Sequence, residues 1–253
     1  MSATAVEQDQ EALWDLERLR RARGLGDWMF EQFAGRVGPR VAEVGAGIGT
    51  FSERLLGAGV AHLLLVEPEP ACAAVLDGRL GGDTRVTVVR EELPDAPTLH
   101  AGEGTFDLVV CQNVLEHLED HEGAMRAMAR ALRPGGWLVV LVPAHPRLFG
   151  SLDRRYGHCR RYTRRLVRGL VDDAGLELAD LYSFNLLGVP GWWVTGKRAE
   201  PSISSRALAA YEVLLRLWRP IERRVRPPVG LSLVAHAQRP PSAPARVAGS
   251  AAS

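Results

Sequence analysis

Lysine is nearly absent. Lys197 is the only one among 31 Lys and Arg residues, which face 30 Asp and Glu, so the formal net charge is +1. A chain with no excess of either sign has no general attraction for polyanions, and its basic residues must act by position. The arginine and alanine usage reads as the coding bias of a GC-rich genome. Cysteine is scarce too. Cys72, Cys111 and Cys159 are odd in number and widely spaced, which excludes a disulfide framework or a C-x-x-C zinc pattern and fits a reducing cytoplasm. Long apolar runs are missing: "GWLVVLVPA" has strand length, "LLGVPGWWVTG" is broken by Gly and Pro, and neither reaches the ~20 residues that span a bilayer. The N-terminus is charged from Glu7 onward and lacks the apolar stretch of a secretory signal. A cytoplasmic protein is expected, with peripheral contact at a membrane surface left open.

The chain has 253 residues, 46% hydrophobic and 24% charged, enough for a proper core in one large or two small domains. Residues 7–36 place Leu13, Leu16, Leu19, Trp28, Met29 and Phe33 as on amphipathic helices. Short Val/Leu runs then alternate with helical patterns: "RVAEVGAG", "HLLLVEPE", "RVTVVREE", "FDLVVCQN" and "GWLVVLVPA" read as strands. Such alternation predicts an α/β fold with a mostly parallel sheet covered on both faces. Residues 164–175 fit another helix, "LELADLYSFN" and "GLSLVAHAQR" two more strands, and 203–226 a helical excursion. The tail from 240 to 253 has a disordered composition.

In an open α/β sheet, ligands bind outside the carboxyl ends of the strands. The candidate here is "EVGAGIGTF", where Gly45, Gly47 and Gly49 turn the first strand into the first helix with bare backbone. A dinucleotide fingerprint needs a third glycine at position 50, which is Thr50. Glu67, ending the second strand, can accept both hydroxyls of a ribose. Together these point to a nucleoside ligand without a pyrophosphate.

The whole series resembles the class I S-adenosylmethionine-dependent methyltransferases. "VAEVGAGIGTF", Glu67, "VVREELPD", "FDLVVCQNVLEHLED" and "ALRPGGWLVVLVPA" follow in that family's order over residues 37–145. The resemblance implies a Rossmann-like, seven-stranded sheet whose last strand is antiparallel, with S-adenosyl-L-methionine as cofactor. It places Glu43, Gly45, Ala46, Gly47, Gly49, Glu67, Pro68, Glu92, Leu93, Gln112, Asn113 and His117 against that cofactor. Where the family has Asp after strand three, this chain has Glu91 and Glu92, and alignment favours Glu92.

The methyl acceptor is read from two segments. Methyl transfer needs a base only if the nucleophile arrives protonated, and Glu116 and His117 in "VLEH" stand at the lip of strand four. A narrower set of bacterial relatives shares "PAHPxLFGSLDxxxGHxRRYT", "FNLLGxxGWW" and "PPxGLSL", all present here. In the loop after strand five, Tyr156, His158, Arg161 and Tyr162 suit an acceptor wall, with His158 a rival base to His117. Trp192 is a further acceptor-wall candidate. His145, Asp153, His158 and Cys159 lack metal-ligand spacing, so no metal is expected. The expected reaction is O-methylation of a small molecule, a secondary metabolite or a sugar- or lipid-linked intermediate. N- or C-methylation, RNA as substrate, a non-catalytic cofactor-binding subunit and a nucleotide-dependent oxidoreductase are the alternatives. Residues 1–239 are expected to form one domain, with a helical segment at 1–36 and a helical acceptor lid at 185–228.

Overall fold

The computed structural model describes residues 13–14, 16–195 and 205–241, so the expected tail beyond 241 and the segment before residue 13 lie outside the described residues. Residues 16–21 are helical and lead into α1 (Arg23–Ala34). The alternation that follows is β1 (Arg40–Val44), α2 (Ser52–Gly57), β2 (His62–Val66), α3 (Pro70–Leu80), β3 (Val86–Val89), α4 (Pro97–Ala101) and β4 (Phe106–Gln112). It continues with α5 (His121–Ala131), β5 (Leu132–Pro143), α6 (Ser151–Arg155), α7 (Arg164–Asp173), β6 (Glu177–Phe184), α8 (Gly188–Thr195), α9 (Ser205–Val225) and β7 (Ser232–Gln238).

The seven strands form one sheet in the order β3-β2-β1-β4-β5-β7-β6. β7 runs antiparallel to both β5 and β6, and the remaining pairs are parallel. The order reverses between β1 and β4, so the carboxyl ends of those two strands form the edge where a ligand is expected.

Side-chain alternation along each strand feeds two cores, one on each face. Leu108 and Val110 of β4 pack with Trp28, Phe33, Leu55, Leu76 and Phe184, while Val109 and Cys111 pack with Met125, Met128, Val167 and Leu170. Local signals start the helices. Asp120 accepts from Gly123 N at 2.7 Å ahead of α5, and Thr163 Oγ1 accepts from Leu166 N at 3.1 Å ahead of α7.

The Gly/Pro-rich "LGVPGWWVT" is more regular than its composition suggests. Asn185 Oδ1 accepts from Gly188 N at 2.8 Å and caps α8, while Pro190 sits in the first turn, where a backbone N–H has no intrahelical acceptor. The two helices of the 185–228 excursion also part company. α8 meets α6, whereas α9 packs on α1: Glu212 accepts from Gly24 N and Leu25 N, both at 2.8 Å. A carboxylate on the free amides of a helix start is favoured by the helix dipole. Trp28 is 1% exposed, its ring centroid 4.2 Å from that of Phe184, so it anchors α1 to the sheet.

Candidate active site

The turn after β1 is built for close approach. Gly45 has φ +72°, and a Cβ there would come within 2.2 Å of Val114 Cγ2. Val114 thus ties the loop after β4 to the glycine turn. Gly47, at φ +56°, donates its N–H to Glu67 Oε2 at 2.7 Å, and Glu67 Oε1 accepts from Glu69 N at 3.0 Å. Glu67 is buried at the end of β2, and burial raises its pKa against the opposing pull of those two amides. Each carboxylate oxygen keeps a second lone pair for another donor.

Glu43, expected against the cofactor, is already paired within the protein. Its side chain is buried, Ser52 Oγ donates to Oε2 at 2.6 Å, and burial pushes the carboxyl up to about 8. Held this way, Glu43 braces the start of α2 under the turn. Ala46 is buried beside it, and Leu16 lies over Gly47 from the N-terminal helical segment.

After β3 the two glutamates separate. Glu91 accepts from Thr98 N at 2.9 Å ahead of α4, while Glu92 is exposed, Leu93 is buried and Pro68 is exposed near the neighbouring strand end. Glu91 is committed to a cap, which leaves Glu92 as the carboxylate available to a ligand. After β4, both amide atoms of the Gln112 side chain are buried without a partner, and Asn113 adopts φ 52°. An orphaned buried carboxamide costs free energy unless a ligand completes it. Bare glycine backbone, an acceptor at Glu67 and an unpaired amide at Gln112 together fit the ribose and amino-acid ends of S-adenosylmethionine.

Strain gathers along this edge. Asn113, His145 and Asn185, each just beyond the end of β4, β5 or β6, have positive φ, and His145 Nε2 is buried without a partner. Such outliers cluster at functional sites. In the sequence His145 stands out only as a metal-donor type that lacks the spacing of a site; its backbone angle and orphaned Nε2 are visible only in the structure.

The segment 143–163 folds back on the loop after β4. Tyr162 N donates to Pro143 O at 2.8 Å, Cys159 N to Glu116 O at 2.7 Å, and Arg160 to Leu118 O. This brings His158 beside His117, ring centroids 4.8 Å apart and perpendicular. Asp153 is the hub. Its side chain is fully buried and accepts from Arg161 Nε at 2.7 Å, Gly150 N at 2.8 Å, His158 Nδ1 at 3.0 Å and Trp192 Nε1 at 3.3 Å. Burial alone would raise its pKa, but the His158 and Arg161 hydrogen bonds win and hold it at about 2. An ionised Asp153 can only accept, so His158 carries its proton on Nδ1 and leaves Nε2 as the basic nitrogen.

Glu116, fully buried, has no partner on either oxygen, and burial raises it to about 8. His117 reaches solvent at one edge, yet the protein mass around its ring, followed by the nearby His158, pushes it down to about 4. One donor atom from each of Glu116, His117 and His158 falls within 4.8 Å of the others, a grouping that sequence spacing did not show. It is one donor short of a closed tetrahedral site.

Two acceptor-wall expectations change. Tyr162 is 0% exposed, embedded in the core, its hydroxyl 3.1 Å from His121 Nδ1. Arg161 is buried, spending Nε on Asp153 and Nη1 on Ala144 O at 3.0 Å, so it braces the segment from beneath. Trp192 gives its N–H to Asp153 and lies under the Arg161 guanidinium, 4.8 Å from the ring centroid. Tyr156 and His158 remain half-buried at the surface of the segment.

Comparison with known proteins gives the family. The family described as a methyltransferase domain matches residues 16–181. The chain belongs to the class I S-adenosylmethionine-dependent methyltransferases. Within the curated members, it is 33% identical over 115 residues to a ubiquinone biosynthesis O-methyltransferase of Bordetella bronchiseptica, covering 44% of this chain and 45% of that one. A ubiquinone biosynthesis O-methyltransferase of Escherichia coli O157:H7 is 33% identical over 150 residues, covering 52% and 61%. The chain thus spans about half the length of the curated relatives it matches. In fold, an S-adenosylmethionine-dependent methyltransferase of Mesorhizobium loti superposes with a TM-score of 0.57 at 19% identity, covering 81% of this chain and 93% of that one.

Proposed function

We propose that this methyltransferase moves a methyl group from S-adenosylmethionine to a hydroxyl of a small molecule, with His158 as the base that receives the hydroxyl proton. The observation that carries the reading is the Asp153–His158 pair. A buried, ionised carboxylate fixes the imidazole tautomer, and Nε2 is left basic beside the loop that touches the glycine turn. Gly45, Gly47, Gly49, Glu67, Glu92 and Gln112 would hold the cofactor, which supplies an activated methyl on a sulfonium. The protein's own work is alignment and removal of water, since displacement at a methyl carbon demands a collinear approach. His117, neutral at pH 7, serves better as a wall and hydrogen-bond partner than as a base.

Residues 1–239 are read as one domain. Within the helical excursion, α8 is assigned as the acceptor cover, because Trp192 ties it to Asp153 and Tyr156 lies 6.4 Å from the Trp192 ring. A phenolic or polyhydroxylated acceptor, such as a secondary metabolite or a lipid-linked intermediate, suits Tyr156 and His158. The O-methyltransferase relatives support a hydroxyl over a nitrogen or carbon. Cysteine usage supports action in the cytoplasm. The test is transfer of isotopically labelled methyl to fractionated extract of the source organism, with the product identified by mass. Label on an oxygen that disappears with His158→Ala supports the reading; label on nitrogen or carbon, or none with any fraction, overturns it.

A further inference from the structure

Helix α9 has two faces of opposite kind. Inward, Leu215 is buried, Tyr211 Oη donates to Asn185 Oδ1 at 2.8 Å, and Trp218 Nε1 donates to Glu222 at 2.6 Å. The helix has two acids, and both turn inward: Glu212 caps α1, and Glu222 accepts from Asn185 N at 2.6 Å and Leu186 N at 3.1 Å. Outward, Val213, Leu214, Leu217, Ile221 and Val225 are all exposed, Leu217 by 73%. At 100° per residue these five fall within a sector of about 120°. Arg216 and Arg223 lie along one border of the sector, Arg223 3.6 Å from Glu31 of α1, and Arg206 and Arg224 lie within it toward the two ends; all four are exposed.

Scattered exposed apolar residues need no explanation, but a continuous stripe on one helix marks a surface that is covered in use. We propose that this face of α9 rests on an anionic phospholipid bilayer as an interfacial helix. An apolar stripe that carries arginines within it and along one border, with no outward acid on its own helix, is the pattern that sinks to the headgroup boundary, with arginine engaging lipid phosphate. No helix among the described residues is long and apolar enough to cross a membrane. A second copy of the chain fits this face less well, because it would set arginine against arginine with no acid to answer it. The proposal stands apart from the methyl-transfer reading. If both hold, docking brings the enzyme to acceptors that reside in the bilayer.

The experiment is flotation of the full chain with phosphatidylcholine vesicles made with and without phosphatidylglycerol, in the absence of any acceptor. The chain is expected to float with the anionic vesicles only and to be released as salt is raised. Leu217→Glu should lower partition at least tenfold, and Arg216→Ser and Arg224→Ser about fivefold per arginine removed. All three should bind S-adenosylmethionine like the parent, which checks that they fold. Equal flotation with neutral vesicles, no flotation, or partition unchanged in the arginine variants overturns the proposal. So does a parent dimer in sedimentation that Leu217→Glu dissociates, which would assign the face to a second copy.

Discussion

Replacing Asp153 by alanine removes the carboxylate on which Arg161, His158, Gly150 and Trp192 converge. The Arg161 side chain is 1% exposed, and Nη2 already lacks a partner, so the variant strands a buried guanidinium. Breaking a buried ion pair from one side costs about 3–5 kcal/mol, a large share of the ~5–15 kcal/mol that holds a typical domain together. With a urea dependence of about 2 kcal/mol per M, the unfolding midpoint should fall by about 1.5–2.5 M. Removing the stranded charge as well, in Asp153→Ala/Arg161→Met, should recover about half of that loss, because no ion is then left without its counter-charge. A pH arm checks the cause. Asp153 titrates near 2 in the folded protein, below the ordinary 3.8, so its contribution is complete above the ordinary value and disappears as pH falls through about 2. The gap between parent and Asp153→Asn should therefore close between about pH 4 and 2. Urea titration followed by tryptophan fluorescence measures all of this. A midpoint shift below about 0.3 M, or a double variant no better than Asp153→Ala, would refute the buried-pair argument.

Three further outcomes follow from the site. Glu67→Ala should weaken S-adenosylmethionine binding about ten- to a hundredfold by calorimetry, as expected for losing charge-assisted hydrogen bonds, and an unchanged Kd would remove the ribose from this position. His158→Ala should lower kcat about 10²- to 10⁴-fold, whereas His117→Ala should leave the pH profile above pH 5 unaltered, since His117 titrates near 4; equal losses in both would sink the assignment. Glu116 holds its proton to about 8 when folded and to about 4.5 when unfolded, so it removes stability as pH rises between those values. Glu116→Gln should gain stability over the parent progressively across that window, and a constant difference from pH 5 to 9 would show that the carboxyl is not held neutral.

Some of this was legible in the residues. Gly45, Gly47 and Gly49 needed no tertiary knowledge, because only glycine turns a strand into a helix with backbone left bare, and all three have positive φ. Glu67 was readable for a similar local reason: an acid ending a buried Val/Leu strand stands at the sheet edge. Less legible was the difference between Glu91 and Glu92: only the structure shows Glu91 spent on capping Thr98. Burial also reverses several readings. Tyr162 and Arg161 sit in a run of arginines and tyrosines that looks like a surface, and the residues on either side, Arg160 and Thr163, are half-buried and exposed. What sets those two apart is that the segment returns beside the end of β5, where Tyr162 pairs with Ala144 and Arg161 reaches the buried Asp153.

The local order of apolar runs, glycines and strand-end acids was enough to determine the α/β class and a nucleoside-binding edge, since each depends on periodicity or on one residue's backbone freedom, whereas the methyl donor and the antiparallel seventh strand came from the family resemblance. Only the tertiary structure decided that Glu116, His117 and His158 share one cluster and that Asp153 orders it. It alone also separated α8, which meets α6, from α9, which packs on α1. Those outcomes depend on contacts between segments about forty residues apart or more, such as Cys159 with Glu116 and Trp192 with Asp153. Burial without a partner keeps Glu116 protonated, while the His158 and Arg161 hydrogen bonds overcome burial and keep Asp153 ionised, a contrast that residue type cannot foretell.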